Sequence, residues 1–328
     1  MQILAGDIGG TNTRLTVYDF SAPQHFTALR EKVFPSAEHD SLASILRCFL
    51  DSPSPEERIE RACFGIAGPV IGQVCEATNL PWRVAADTIR DTFGFNQVWL
   101  LNDLEANAWG IEALPPQDLF LLNPGNPQAT GNRAIISAGT GLGEAGIYWD
   151  GSRYRPFSSE GGHGDFSPAN PLEFALHQWL AERYGHVSWE RLVSGPGLEN
   201  LYTFLLHHRG ETSPDWLAQR IAEQGMAPAV SQTALEEGDP LCVEALDLFI
   251  HLYGREAGNH ALKLMAGGGV YLGGGIAPRI LPRLQQGGFL RGFFDKGRMR
   301  PLLEAMPVRV ILNDKAALLG SARFASLQ

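Results

Sequence analysis

Along this chain short apolar runs that stop at glycine alternate with longer stretches of helical period, and that alternation predicts an α/β protein. Residues 2–5 and 14–18 read as strands around a Gly-rich turn. Leu42, Ile45, Leu46, Phe49 and Leu50 fall on one helical face, which predicts a helix over 41–50. Residues 51–57, rich in Pro and Ser, read as a loop, and 61–66, 73–77 and 98–101 read as strands. Residues 114–130 carry Pro, Asn and Gly and mark the first crossing between domains. Residues 133–137 and 144–149 again flank a Gly-rich turn. Asn170-Pro171-Leu172-Glu173 opens a helix running to Tyr184, and Asp239-Pro240 opens another that leads through Leu264. Late strands are expected at 270–272 and 308–312, with a closing helix over 316–325.

One repetition shapes the picture. Gly6-Asp7-Ile8-Gly9-Gly10-Thr11-Asn12-Thr13-Arg14 turns between two strands, and Ser137-Ala138-Gly139-Thr140-Gly141-Leu142-Gly143 does the same later. A hairpin turn needs only two to five residues, so these hold more Gly and Thr than turning requires. Two related α/β halves facing each other across a cleft are the expectation.

The charge balance narrows the partners. With 26 basic and 36 acidic residues the net charge is −10, which argues against nucleic acid or an anionic membrane. No apolar run is long enough to span a bilayer. The chain enters its first strand directly after Met1, so a cytoplasmic protein is expected. Cys48, Cys63, Cys75 and Cys242 form no CxxC pair and no zinc-ligand cluster, and read as small apolar side chains.

Glycines permit positive φ and close backbone approach, and the successive N–H groups of such turns make anion-binding concavities. Thr11 and Thr140 add hydroxyl donors. Two turns of this kind would grip a polyphosphate from both sides. Asp7 ends an apolar strand; it reads either as a turn-capping carboxylate or as a ligand, direct or through water, for Mg²⁺. There is no GxxxxGK[ST] sequence, and the glycines at 139–143 lead into a strand rather than a helix, which disfavours P-loop and dinucleotide folds.

Asn102-Asp103 follows the strand at 98–101, where ligand sites of open α/β sheets lie. Asp103 reads either as the cap of a helix over 104–109 or as a general base. In Ser159-Glu160-Gly161-Gly162-His163 the two glycines let an acid and an imidazole turn toward one small ligand, and the pair suits adjacent sugar hydroxyls; a surface loop is the plainer reading. Glu190 taken alone reads as a solvated helical acid. Gly273-Gly274-Gly275-Ile276-Ala277-Pro278 is either a turn leading into a helix or a flat platform for an adenine ring.

In this order the pieces resemble the bacterial glucokinase family, on the two-domain actin-like ATPase (ribonuclease H-like) fold, over nearly the whole chain. The matching segments are 6–14, Leu101-Asn102-Asp103, 139–143, Glu160-Gly161-Gly162-His163-Gly164-Asp165-Phe166, 190–197 and 273–279. The resemblance implies ATP-dependent phosphorylation of D-glucose at its 6-hydroxyl, with Asp103 as base. Asn102, Glu160, His163 and Glu190 would hold the other hydroxyls. Gly6, Asp7, Ile8, Gly9, Gly10, Thr11, Gly139, Thr140, Gly141, Gly274 and Gly275 would hold ATP, and Asp7 would position Mg²⁺ through water. A small domain of residues 1–112 plus 313–328 and a large domain of 113–312 are expected, with a homodimer one option open to the family. Related repressor-type sugar kinases carry a cysteine-rich zinc motif soon after the equivalent of His163; here Gly-Asp-Phe-Ser-Pro-Ala follows, which points to the zinc-free branch. Competing readings are a kinase for mannose, fructose or an amino sugar, an actin-like ATPase, and a non-catalytic sugar sensor.

Overall fold

The computed structural model describes residues 1–22, 25–51 and 58–328. The chain divides into two compact units: Met1–Leu119, Arg155–Ser158 and Asn313–Gln328 in one, Phe120–Tyr154 and Ser159–Leu312 in the other.

The first unit is built on strands β1 (Gln2–Ile8), β2 (Asn12–Ala22), β3 (His25–Pro35) and β4 (Ile59–Ile66), the short β5 (Val70–Ile71), β6 (Val74–Glu76) and β7 (Arg83–Ala85), and β8 (Gln97–Asn102). Its main sheet has the order β3-β2-β1-β4-β8, while β5, β6 and β7 form a small separate sheet. β1 pairs antiparallel with β2 and parallel with β4, and β4 runs parallel to β8. Ile3, Leu4 and Ala5 of β1 are all fully buried, because helices cover both faces of a sheet with parallel strands. Helix α1 (Leu42–Leu50) starts where the Ser41 side chain accepts from Ser44 N, and Leu42, Ile45, Leu46 and Phe49 form its buried stripe. Helices α2 (Ala86–Phe93) and α3 (Asp103–Gly110) complete the N-terminal part. The C-terminal helix Ala316–Leu327 packs on α3, where Gly110 lies against the Ala316 carbonyl and Gly320 against that of Ala106.

The second sheet adds β9 (Leu119–Asn123), β10 (Arg133–Ala138), β11 (Leu142–Trp149), β12 (Tyr154–Ser159), β13 (Gly269–Gly273) and β14 (Val308–Ile311). Its order is β12-β11-β10-β13-β14-β9. β10 pairs antiparallel with β11 and parallel with β13, which is parallel to β14. Each sheet thus sets a central strand between a hairpin partner and a run of parallel strands, the repetition expected from the two Gly-rich turns. Helices α4 (Pro171–Tyr184), α5 (Gly195–Arg209), α6 (Asp215–Gln224), α7 (Met226–Leu235) and the 25-residue α8 (Pro240–Leu264) surround it. Asn170 caps α4 by accepting from Glu173 N, and Asp239 caps α8 by accepting from Cys242 N. Tyr253 of α8 is buried and donates to the Ile136 carbonyl of β10, which fixes the helix on the sheet.

Most strands run longer than the apolar runs suggest, β6 and β14 are slightly shorter, and β3, β5, β7, β9 and β12 lie where no strand is expected. β3 and β12 are largely exposed and lack an alternating apolar face, so patterning passes over them. Helices α5 to α7 were also missed; α5 begins Gly195-Pro196-Gly197, a turn-like start that Ser194 caps. Cys63, Cys75 and Cys242 are buried as expected, whereas Cys48 is exposed, on the flank of the α1 stripe. Residues 52–57 of the expected loop lie outside the described residues.

Candidate active site

In the first unit Asp7 and Asp103 stand at the carboxyl ends of the parallel strands β1 and β8, with β4 between them. The β8–α3 junction explains how Asp103 is placed. Asn102, not Asp103, is the helix cap: its Oδ1 accepts from Leu104 N at 3.0 Å and Glu105 N at 3.3 Å, and its Nδ2 donates to the Gly68 carbonyl at 3.1 Å. Asp103 is therefore the first helical residue, its Oδ1 accepting from Leu104 N at 2.9 Å. Negative charge is favoured at that position of a helix. Burial pushes the Asp7 carboxyl up to about 6, and the Asp103 charge adds to the rise while Arg14 opposes it. Asp7 faces Arg14 across the β1–β2 ladder.

The first Gly turn is braced from below. Gly9 N donates to Asn12 O at 3.0 Å, Ser36 N donates to Thr11 O at 2.9 Å and Ser36 Oγ donates to Gly9 O at 2.8 Å. Ser36, buried and bonded also to Thr13, gave no signal in sequence beyond following a proline. Thr11 and Thr140 are both exposed. Positive φ is not the reason for glycine in either turn, contrary to that expectation: no glycine at 6–10 or 139–143 has it. Crowding is the reason at three of them. A Cβ on Gly6 would stand 2.5 Å from Phe64, on Gly10 2.7 Å from Asn79, and on Gly141 2.5 Å from Glu190 Oε2.

In the second unit Glu190 is tied to the second turn, its Oε2 accepting from Leu142 N at 2.9 Å. It lies on a 3-10 turn, Trp189–Arg191, with 29% of its side chain exposed, so the solvated-helix reading is corrected. Ser194 Oγ donates to Glu190 O, and Gly195 N donates to Gly139 O at 2.8 Å, binding this segment to the same turn. His163 brings the cluster together: Nε2 lies 3.9 Å from Glu160 Oε2 and Nδ1 4.0 Å from Glu190 Oε1. Glu160 and His163 are exposed at either end of the 3-10 turn Gly161–His163. His186, not singled out in sequence, meets the His163 carbonyl through Nε2 at 2.9 Å and Asp165 through Nδ1 at 3.3 Å. Gly274 does need its glycine: φ is +78°, and a Cβ there would strike the Ala138 carbonyl at the end of β10. Gly274 and Gly275 are exposed beside the second turn and lead into the short helix Ile276–Arg279. An open cavity of about 620 Å³, lined by His251, Arg291, Phe294 and Arg300, contains none of these residues.

Within each unit the arrangement is now defined. One unit pairs carboxylates beside a Gly turn; the other joins an acid–imidazole–acid cluster to a second Gly turn and to Gly274.

A model of the glucokinase family matches residues 4–328. The chain is 42% identical over 337 residues to the glucokinase of Nostoc punctiforme, across 98% of this chain and 97% of that one. It is 41% identical over 347 residues to the glucokinase of Synechocystis, across 98% and 97%. The solved structure of a glucokinase from an Antarctic psychrotroph superimposes with a TM-score of 0.85 at 31% identity, across 100% of this chain and 99% of that one. With the two-sheet architecture and the placement of both Gly turns, these likenesses show that the chain belongs to the glucokinase family.

Proposed function

We propose that this protein transfers the γ-phosphoryl group of ATP to the 6-hydroxyl of D-glucose, with Asp103 as general base. The observation that carries the reading is the convergence of Glu160, His163 and Glu190 on the turn at 139–143. A polyol site and a polyphosphate site then share one wall, since Glu190 reaches both.

Phosphoryl transfer is largely positioning and charge stabilisation. Gly10 and Thr11 of the first turn, and Thr140 and Gly141 of the second, would offer N–H and hydroxyl donors to the phosphates, while Gly9 and Gly139, whose N–H groups bond to Asn12 O and Gly141 O, would hold the turns in shape and Gly6 and Ile8 would seat the first turn on β1. Gly274 and Gly275 would lie flat against the adenine ring. Glu160 and Glu190 accept from sugar hydroxyls, His163 donates or accepts, and Asn102 adds its amide. Asp103 takes the proton from the 6-hydroxyl as its oxygen attacks phosphorus. Sugar binding precedes alignment, which keeps water from replacing the hydroxyl.

The residues fit a divalent cation. Asp7 and Asp103 stand at the ends of β1 and β8, and burial, then the Asp103 charge, raise the affinity of Asp7 for protons, a cost that a cation would relieve. Asp7 would hold Mg²⁺ through water, and the ion would neutralise phosphate charge. We place the protein in the zinc-free branch and in the cytoplasm, with glucose rather than nucleic acid or membrane as its partner; sedimentation would test a homodimer. No described helix is long and apolar enough to cross a membrane.

The test follows ADP formation from MgATP with no sugar and with glucose, mannose, fructose or glucosamine. Glucose-dependent turnover supports the reading. Preference for another hexose changes the substrate, and equal turnover without sugar overturns it.

A further inference from the structure

Beneath the Gly161–His163 turn lies a group of buried charges that the chemistry above does not use. Glu144 on β11 and Glu256 and His260 on α8 have side chains 1%, 0% and 4% exposed. His260 Nε2 lies 3.0 Å from the Ala145 carbonyl, which can only accept, so Nε2 carries a hydrogen. His260 Nδ1 then faces Glu144 Oε2 at 3.2 Å. Two lone pairs at that distance repel, so one proton sits in the contact, on the imidazole or on the carboxyl. Glu256 faces Glu144 as well; burial, and then the Glu144 charge, push its carboxyl up to about 7. Asn259 Nδ2 donates to Glu256 Oε2 at 2.8 Å, and Lys263 Nζ lies 3.7 Å from Oε1. Glu144 Oε1 has no hydrogen-bond partner. Lys296, which burial and Arg255 push down to about 8, also faces Glu256. Tyr253, the remaining titratable neighbour of Glu144, is held by its bond to Ile136 O.

The sugar turn rests on this group. A Cβ on Gly161 would collide with Glu144 Oε2, and one on Gly162 with the Leu142 carbonyl. The Glu144 carboxylate is thus the floor of the turn whose ends carry Glu160 and His163. Glu144 also lies two residues beyond Leu142, whose N–H holds Glu190.

We propose that Glu144, Glu256 and His260 are positioning residues that seat the Gly161–His163 turn, so that the KM for glucose, rather than kcat or the KM for ATP, follows the protonation of this buried group. The inference rests on the sugar-site reading of Glu160, His163 and Glu190. As pH rises past neutrality Glu256 loses the proton that burial and the Glu144 charge hold on it, two buried carboxylates then repel, and the floor under Gly161 shifts.

The test measures kcat and both KM values from pH 6 to 9 for the wild type, Glu256→Gln, Glu144→Gln and Glu160→Ala. In the wild type the glucose KM should rise by roughly fivefold to tenfold across that range, the scale of one hydrogen bond. Glu256→Gln, a fixed neutral mimic, should hold the low-pH glucose KM throughout, with kcat within about twofold of wild type on that same scale. Glu144→Gln should raise the glucose KM at low pH and flatten its profile. A wild-type profile that persists in both Glu256→Gln and Glu144→Gln places the titration outside this group and overturns the proposal. So does a lowered Tm in either Gln variant with an unmoved glucose KM, which marks a merely structural role. Glu160→Ala separates the two readings: an unchanged glucose KM there removes the sugar site itself, whereas a raised one beside unaltered Gln variants removes only the network.

Discussion

The turn between β1 and β2 and the turn between β10 and β11 occupy the same place in two sheets of one connectivity, yet they are supported differently. Under the first, Ser36 ties backbone to backbone, and the nearby carboxylate, Asp7, sits within the strand where burial works against its charge. Against the second, Glu190 fills the space a Cβ on Gly141 would need and holds Leu142 N, while Glu160 and His163 stand out in solvent. A repeated backbone can present N–H groups to phosphates in both units. The side chains around it differ: a carboxylate that burial opposes in the first, an acid–imidazole–acid cluster with two exposed members in the second. Buried charge in the second unit is more varied: Arg255 pairs with Glu173 and also donates to Ser167 O, while Glu144 and Glu256, like Asp7, have a second carboxylate for a neighbour.

The largest expected effect tests the first unit. Asp103→Ala should lower kcat by about 10²–10⁴-fold, the usual worth of a general base, while glucose binding followed calorimetrically persists. Turnover near wild type would remove Asp103 from the chemistry.

Next comes the paired charge of the second unit. Arg255→Ala leaves Glu173 buried without its ion partner, which costs about 3–5 kcal/mol; urea unfolding should show it, and a loss under 1 kcal/mol would deny that this pair supports the helical layer.

Asp7→Asn should act in the opposite sense. The folded protein binds the Asp7 proton more tightly than the unfolded chain does, so wild-type stability falls as pH rises toward about 6 and stays reduced above it. Removing the charge should stabilise the protein at pH 7 by about 2–3 kcal/mol, at about 1.4 kcal/mol per pH unit, with no gain near pH 3.5. Activity should fall with the lost cation site. Thermal melts across pH check it, and a gain independent of pH would contradict the assignment.

The smallest effect belongs to the exposed cluster. Glu160→Ala should raise the glucose KM by roughly tenfold to a hundredfold, as for a hydrogen bond to a charged group, with the ATP KM little changed in initial-rate kinetics.

How much of this was legible without coordinates depends on how local each signal is. Apolar periodicity located α1 and the strands β1, β4, β8 and β10, because burying a face demands a pattern in the chain itself. Caps at Asn170 and Asp239 were equally plain, since a cap bonds to residues three positions away. Asn102 displaced Asp103 as the α3 cap, and either residue suits that place; the Asn102 Nδ2 also donates to the distant Gly68 carbonyl, a contact that leaves no local trace. Edge strands such as β3 left little trace, since solvent accepts almost any side chain.

The sequence by itself determined the alternation of strands and helices, the repetition of the Gly turns and the identity of the polar residues beside them. Tertiary structure alone decided that Glu190 reaches back to Leu142, that Gly141 and Gly161 are glycines to make room for carboxylates, and that Glu144, Glu256 and His260 meet under the Gly161–His163 turn. Those contacts join residues far apart in the chain, where charge, burial and excluded volume act through space and leave no periodic mark on the sequence.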